Sequence, residues 1–86
     1  MSRKILLTGA SSDIGMAIVK KIIQPDDIFI LQCHSNRKKL ENSLQAYKNF
    51  IEILELDFTN HLDTERFIKM IGKAEIDILI YCAALT

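Results

Sequence analysis

Tryptophan is absent, proline occurs once, glycine occurs three times, and the charges cancel, with eleven Lys and Arg against eleven Asp and Glu. With zero net charge and no basic run longer than Arg37-Lys38-Lys39, the chain lacks the electrostatic footprint that phosphate-backbone binding requires, so no nucleic-acid partner is expected. The longest apolar run, Ile78 to Leu85, is far shorter than the roughly 20 residues that span a bilayer, and the first residues hold no apolar signal core. No membrane partner is expected, and the chain reads as cytoplasmic. The two cysteines, Cys33 and Cys82, form no C-x-x-C and meet no histidine at ligand spacing, which predicts neither a metal site nor a disulfide framework. No linker, repeat or low-complexity stretch divides the 86 residues, a length that holds one domain and not two.

What the chain does contain is an alternation of strand-length apolar runs with segments of helical period. Strands are predicted at Lys4–Thr8, Ile28–Cys33, Phe50–Glu55 and Ile76–Cys82, with helices at Ile14–Ile23, Lys38–Tyr47 and Leu62–Ile71. The first and last strands are runs of Ile and Leu without clean in/out alternation, as burial on both faces of a parallel sheet demands. Pro25-Asp26-Asp27 stops the first helix, and Gly72 sits where a left-handed residue would close the third. Right-handed crossovers then give an α/β, Rossmann-type three-layer sheet of order 3-2-1-4, with the first two helices on one face and the third on the other.

The most informative segment follows the first strand: Thr8-Gly9-Ala10-Ser11-Ser12-Asp13-Ile14-Gly15. A glycine turn joining a strand to a helix presents backbone N–H groups and the positive end of the helix dipole at the carboxyl edge of the sheet, where a diphosphate can sit. Gly9 allows the tight turn, and Gly15 allows helix and strand to approach closely.

This segment resembles the short-chain dehydrogenase/reductase family, whose motif is T-G-x-x-x-G-x-G; Thr8, Gly9 and Gly15 match. Three more landmarks stand in family order: His34-Ser35-Asn36-Arg37 after the second strand, Leu56-Asp57-Phe58-Thr59 after the third, and Ile76 to Ala84 where the family has I-D-x-L-V-N-N-A-G. The resemblance covers essentially all 86 residues and leans toward bacterial 3-oxoacyl-carrier-protein reductases. It implies that residues 1–86 are the N-terminal, dinucleotide-binding part of a Rossmann domain. The cofactor site it implies comprises Gly9, Ser11, Ser12, Asp13, Ile14 and Gly15, then Ser35, Asn36 and Arg37, then Asp57 and Phe58, and finally Cys82, Ala83 and Ala84.

Asp13 stands in place of the middle glycine, and a carboxylate about 5 Å from a phosphate charge is unfavourable by ~1 kcal/mol in water. The expectation is that its side chain turns back to cap the helix, which would preserve binding. Tyr81 and Cys82 replace two asparagines and Ala84 replaces a glycine, which changes the surroundings of the nicotinamide ribose.

An NAD-binding unit places a carboxylate at the end of the second strand, whereas a basic residue there accommodates a 2′-phosphate. This corner offers His34, Ser35, Asn36, Arg37, Lys38 and Lys39 and no carboxylate, so NADP is expected ahead of NAD, with Arg37 on the phosphate and Ser35 and Asn36 as donors. Asp57 matches the family aspartate that accepts from the adenine amino group, with Phe58 beside the ring. His34 is placed near the adenosine and His61 in a solvated loop. Cys33 and Cys82, on strands that flank the first, should lie about 9 to 10 Å apart, beyond disulfide reach.

The family's catalytic tyrosine is followed four positions later by lysine. Here Tyr47 is followed by Ile51 and Tyr81 by Leu85, so no catalytic residue is expected in this chain, and a carbonyl or alcohol substrate is expected only in a longer protein. An apolar fourth strand left as an open edge predicts an oligomer or association through that edge. Three readings stay open: the cofactor half of an NADP-dependent reductase, a stand-alone nucleotide- or partner-binding module, and an inactive remnant.

Overall fold

The computed structural model describes residues 2–82. Its elements run β1 (Lys4–Thr8), α1 (Asp13–Ile22), β2 (Ile28–Cys33), α2 (Arg37–Leu44), β3 (Phe50–Glu55), α3 (His61–Lys73) and β4 (Ile78–Tyr81). All strand pairs are parallel and the order is β3-β2-β1-β4, the expected half of a doubly wound sheet.

Register turns the strand sequences into two faces. Ile51, Phe29, Ile5 and Ile78 form one cross-strand row, and Ile53, Leu31, Leu7 and Ile80 the next. Val19 of α1 and Leu40 of α2, both fully buried, pack on these rows and close the core. Because β3-α3-β4 crosses the sheet with the same right hand, α3 lies on the opposite face, where Leu6 is fully buried and Ile30 nearly so.

Burial separates central from edge strands. In β2 every residue after Ile28 is buried, and β1 is buried from Ile5 onward. β4, in contrast, alternates, leaving Leu79 56% and Tyr81 72% exposed. Its apolar sequence had suggested burial on both faces, but the strand is an edge and only its Ile78 and Ile80 side meets the core.

The amino edge is held by polar staples. Arg3 donates from Nε and from a terminal nitrogen to the two carboxylate oxygens of Asp27, at 2.9 and 2.7 Å. Asn49 donates to the carbonyls of Gln24 and Asp27, and the Asp77 carboxylate accepts from the Lys4 amide. The Arg3 guanidinium hydrogen-bonded to Asp27 holds that carboxyl below its ordinary range against the opposing effect of burial.

Helix ends differ from expectation in α2, which stops at Leu44 with Gln45 as its cap, three residues short of Tyr47, and at both ends of α3. α3 continues through Gly72 to Lys73 and is capped at Ala74, with the Ala74 N–H bonded to the Met70 carbonyl. Gly72 is thus an interior helical residue, and a side chain there would meet nothing within 4 Å. His61 is the first residue of α3, paired with Glu65 at 3.0 Å, rather than part of the preceding loop.

Candidate functional site

Gly9 follows β1 at φ 67, a left-handed conformation that glycine adopts without steric penalty. The chain turns back there, and Ser12 becomes the N-cap of α1: its hydroxyl donates to the Gly9 carbonyl at 2.8 Å and accepts from the Gly15 amide at 3.0 Å. Gly15 lies against the turn itself. A Cβ at Gly15 would come within 2.4 Å of the Gly9 carbonyl oxygen and 2.9 Å of Ala10 Cα, both backbone atoms that cannot move aside without opening the turn.

Of the N-terminal amides that a helix leaves without an intrahelical acceptor, Ser12 satisfies Gly15, so Asp13 and Ile14 remain to present N–H groups. Asp13 is not the cap that the sequence suggested, because the serine before it already fills that role. Its carboxylate points to solvent and meets Lys39 of α2 at 3.2 Å. The negative charge in the motif is therefore balanced by a cation from the neighbouring helix, and it also favours the helix N-terminus.

The carboxyl ends of the strands and this turn surround a cavity of about 450 Å³, a volume typical of small-molecule sites. Gly9, Ser11 and Ser12 line it on one side and Ser35 and Asn36 on another, with Asp57 and Phe58 opposite. Asn36 sits at φ 61 as the N-cap of α2 and its side chain makes no cap hydrogen bond, which leaves that amide free to face a ligand.

The β3–α3 loop is internally braced. Asp57 accepts from the Thr59 amide at 2.9 Å and the Thr59 hydroxyl at 2.7 Å. Those two bonds, with His34 nearby, hold the Asp57 carboxyl below its ordinary range. Asp57 is thus an acceptor at neutral pH, suited to an amino group. Its second oxygen lies 3.5 Å from His34 Nε2. Phe58 is fixed edge-on against Phe67 of α3, with centroids 4.9 Å apart, and presents an aromatic wall.

Other expected residues stand apart from the cavity. Arg37 is exposed and donates to Glu41 one turn along α2 at 2.9 Å. The side chains of Asp13 and Ile14 are exposed and do not line the cavity, so only their backbone N–H groups are available to it, and Gly15 lies behind the turn. Cys82 donates its amide to the Thr8 hydroxyl at 3.1 Å, tying the end of β4 to β1. Ala83 and Ala84 lie outside the described residues. Both Cys33 and Cys82 are free thiols, and burial, with Glu55 nearby, pushes the Cys33 thiol up.

The cavity wall also holds residues outside the expected cofactor site, Thr8, Leu56, Thr59, Tyr81 and Gln32 among them. Tyr81 lines it from the exposed face of β4, and Gln32 from the floor. Gln32 is 4% exposed, yet it interrupts the apolar run of β2. A carboxamide in a buried strand must find partners, which is the signal that could have singled it out.

A family model described as short chain dehydrogenase matches residues 3–86. No curated protein and no solved structure gives a match.

Proposed function

The chain belongs to the short chain dehydrogenase family, and we propose that its carboxyl-edge cavity holds NADP(H) as the cofactor segment of a reductase acting on a carbonyl or alcohol. One observation carries this reading: the glycine turn with the Ser12 cap of α1, the Ser35–Asn36 corner after β2 and the Asp57–Phe58 wall after β3 converge on one cavity, although they come from three separate βα junctions. The residues present fit such a group. The α1 N-terminus and Ser11 suit the diphosphate, Phe58 suits the face of a purine, and Asp57 suits its amino group.

The dinucleotide supplies the hydride; this chain binds and orients it. Proton transfer is assigned to residues other than these, since neither Tyr47 nor Tyr81 is followed four positions on by a lysine.

Preference for NADP rests on the absence of a carboxylate after β2 and on Arg37. An exposed i,i+4 ion pair such as Arg37–Glu41 contributes only about 0.3–0.5 kcal/mol. A charge-assisted contact to a phosphate is stronger, so Arg37 can leave Glu41 when a 2′-phosphate arrives. Titration of the chain with NADPH and NADH, followed by nucleotide fluorescence, tests this. Saturable binding tighter for NADPH is expected. Arg37→Ala should weaken NADPH about tenfold more than NADH, a difference of ~1.4 kcal/mol; equal losses for both would remove the phosphate role. Gly9→Val should abolish both titrations, and unchanged curves would refute the diphosphate site.

A further inference from the structure

Gln32 bridges three strands. Its Oε1 accepts from the Gly9 amide at 2.8 Å, its Nε2 donates to the Leu56 carbonyl at 2.7 Å, and its own carbonyl accepts from the Ala10 amide at 2.8 Å. Gly9 and Ala10 form the turn after β1, and Leu56 opens the loop after β3 that carries Asp57 and Phe58. The carboxamide is buried, has a protein partner at both its oxygen and its nitrogen, and is part of the cavity floor.

We propose that Gln32 is a positioning residue for the adenosine half of the bound dinucleotide, clamping the glycine turn to the Asp57–Phe58 wall. This rests on the dinucleotide reading above. The clamp has two consequences. It engages the Gly9 and Ala10 amides within the protein, so the N–H groups left to an anion are those of Ser11 and the first turn of α1. It also sets the distance between the turn and the purine wall before any ligand arrives. The wall needs such a tether because α3, behind Phe58, has no buried residue of its own.

The test uses the whole chain with Gln32→Met and Gln32→Glu. Methionine keeps the shape and removes both side-chain bonds; glutamate keeps the acceptor for Gly9 and loses the donor to Leu56. AMP is the probe for the adenosine half, with NADPH beside it. Hydrogen exchange of the Gly9 amide reads the clamp directly, and thermal unfolding reads stability.

For Gln32→Met we expect faster Gly9 exchange and affinities for AMP and NADPH lowered about tenfold or more at a temperature where the protein is folded, as expected for stranded buried polar groups. Gln32→Glu should retain Gly9 protection and lose affinity, because the wall is released while the turn is held. If Gln32→Met does not fold, the glutamate variant carries the test. A lower unfolding temperature with unchanged AMP affinity in the folded variant would overturn the positioning role and leave the dinucleotide reading standing. If the unaltered chain binds neither AMP nor NADPH, both readings fall.

Discussion

The two faces of the sheet are covered to different depths. On the face of α1 and α2, Ile5, Leu7, Phe29, Leu31, Val19 and Leu40 are fully buried. On the face of α3, no helix residue is buried, and Leu62, Ile68, Leu79 and Tyr81 are each more than half exposed. The cavity draws on both. Its glycine turn is backed by the packed face through Gly15, while Phe58 and Tyr81 belong to the open one. Stability thus comes chiefly from one side of the sheet, and the binding wall on the other side depends on specific ties such as Gln32, Asp57–Thr59 and Phe58–Phe67.

Removing packing from the covered face should have the largest effect. Phe29→Ala is expected to destabilise by about 3–5 kcal/mol, a large share of the roughly 5 to 15 kcal/mol that a native domain holds; urea unfolding would check it. Gly15→Ala comes next. Its new methyl group meets backbone, so a loss of about 2–3 kcal/mol is expected, together with loss of nucleotide binding by the fraction that stays folded. A binding-competent Gly15→Ala variant would show that the turn has more room than the 2.4 Å approach allows.

A smaller, pH-dependent effect belongs to the amino edge. The Asp27 carboxyl is held below its ordinary range, so its contribution is present above about pH 4, the pKa region of an unfolded aspartate, and is lost as pH falls through the lower folded value. Asp27→Asn should flatten that part of the acid unfolding profile, and an unchanged profile would mean the Arg3 pair adds nothing. The smallest effect is expected on the open face, where Ile68→Ser should change stability by no more than about 0.5 kcal/mol. A loss comparable to that of Phe29→Ala would mean that Ile68 is covered in solution.

The fold was largely legible in the sequence. The ranges of β1, β2 and β3 could be read directly, because hydrophobic runs of strand length bounded by polar residues have few alternatives. The end of α3 was not legible, because a glycine late in a helix can cap it or simply occupy it, and space around Gly72 permits the second. The order 3-2-1-4 already placed β4 at an edge, yet its sequence read as buried on both faces, since apolarity reports what a strand could bury and not what is present to cover it. In the site, Gly9 and Gly15 were legible because a tight turn and a close approach both demand glycine. Asp13 was misassigned because Ser and Asp are both good caps and the sequence does not say which one the chain reversal selects. The polar interruption of β2 marks Gln32, but its partners lie 23 and 24 positions away, and no local pattern says which they are.

The most direct test of the dinucleotide site is an amide NMR titration of the whole chain with NADPH. Shifts concentrated at Gly9, Ser11, Asp13, Ile14, Asn36, Asp57 and Phe58 are expected, with Gln24, Asp27 and Asn49 around the second cavity at the amino edge left unmoved. Shifts confined to that amino edge, or none at saturating nucleotide, would contradict the assignment of the carboxyl-edge cavity as the cofactor site.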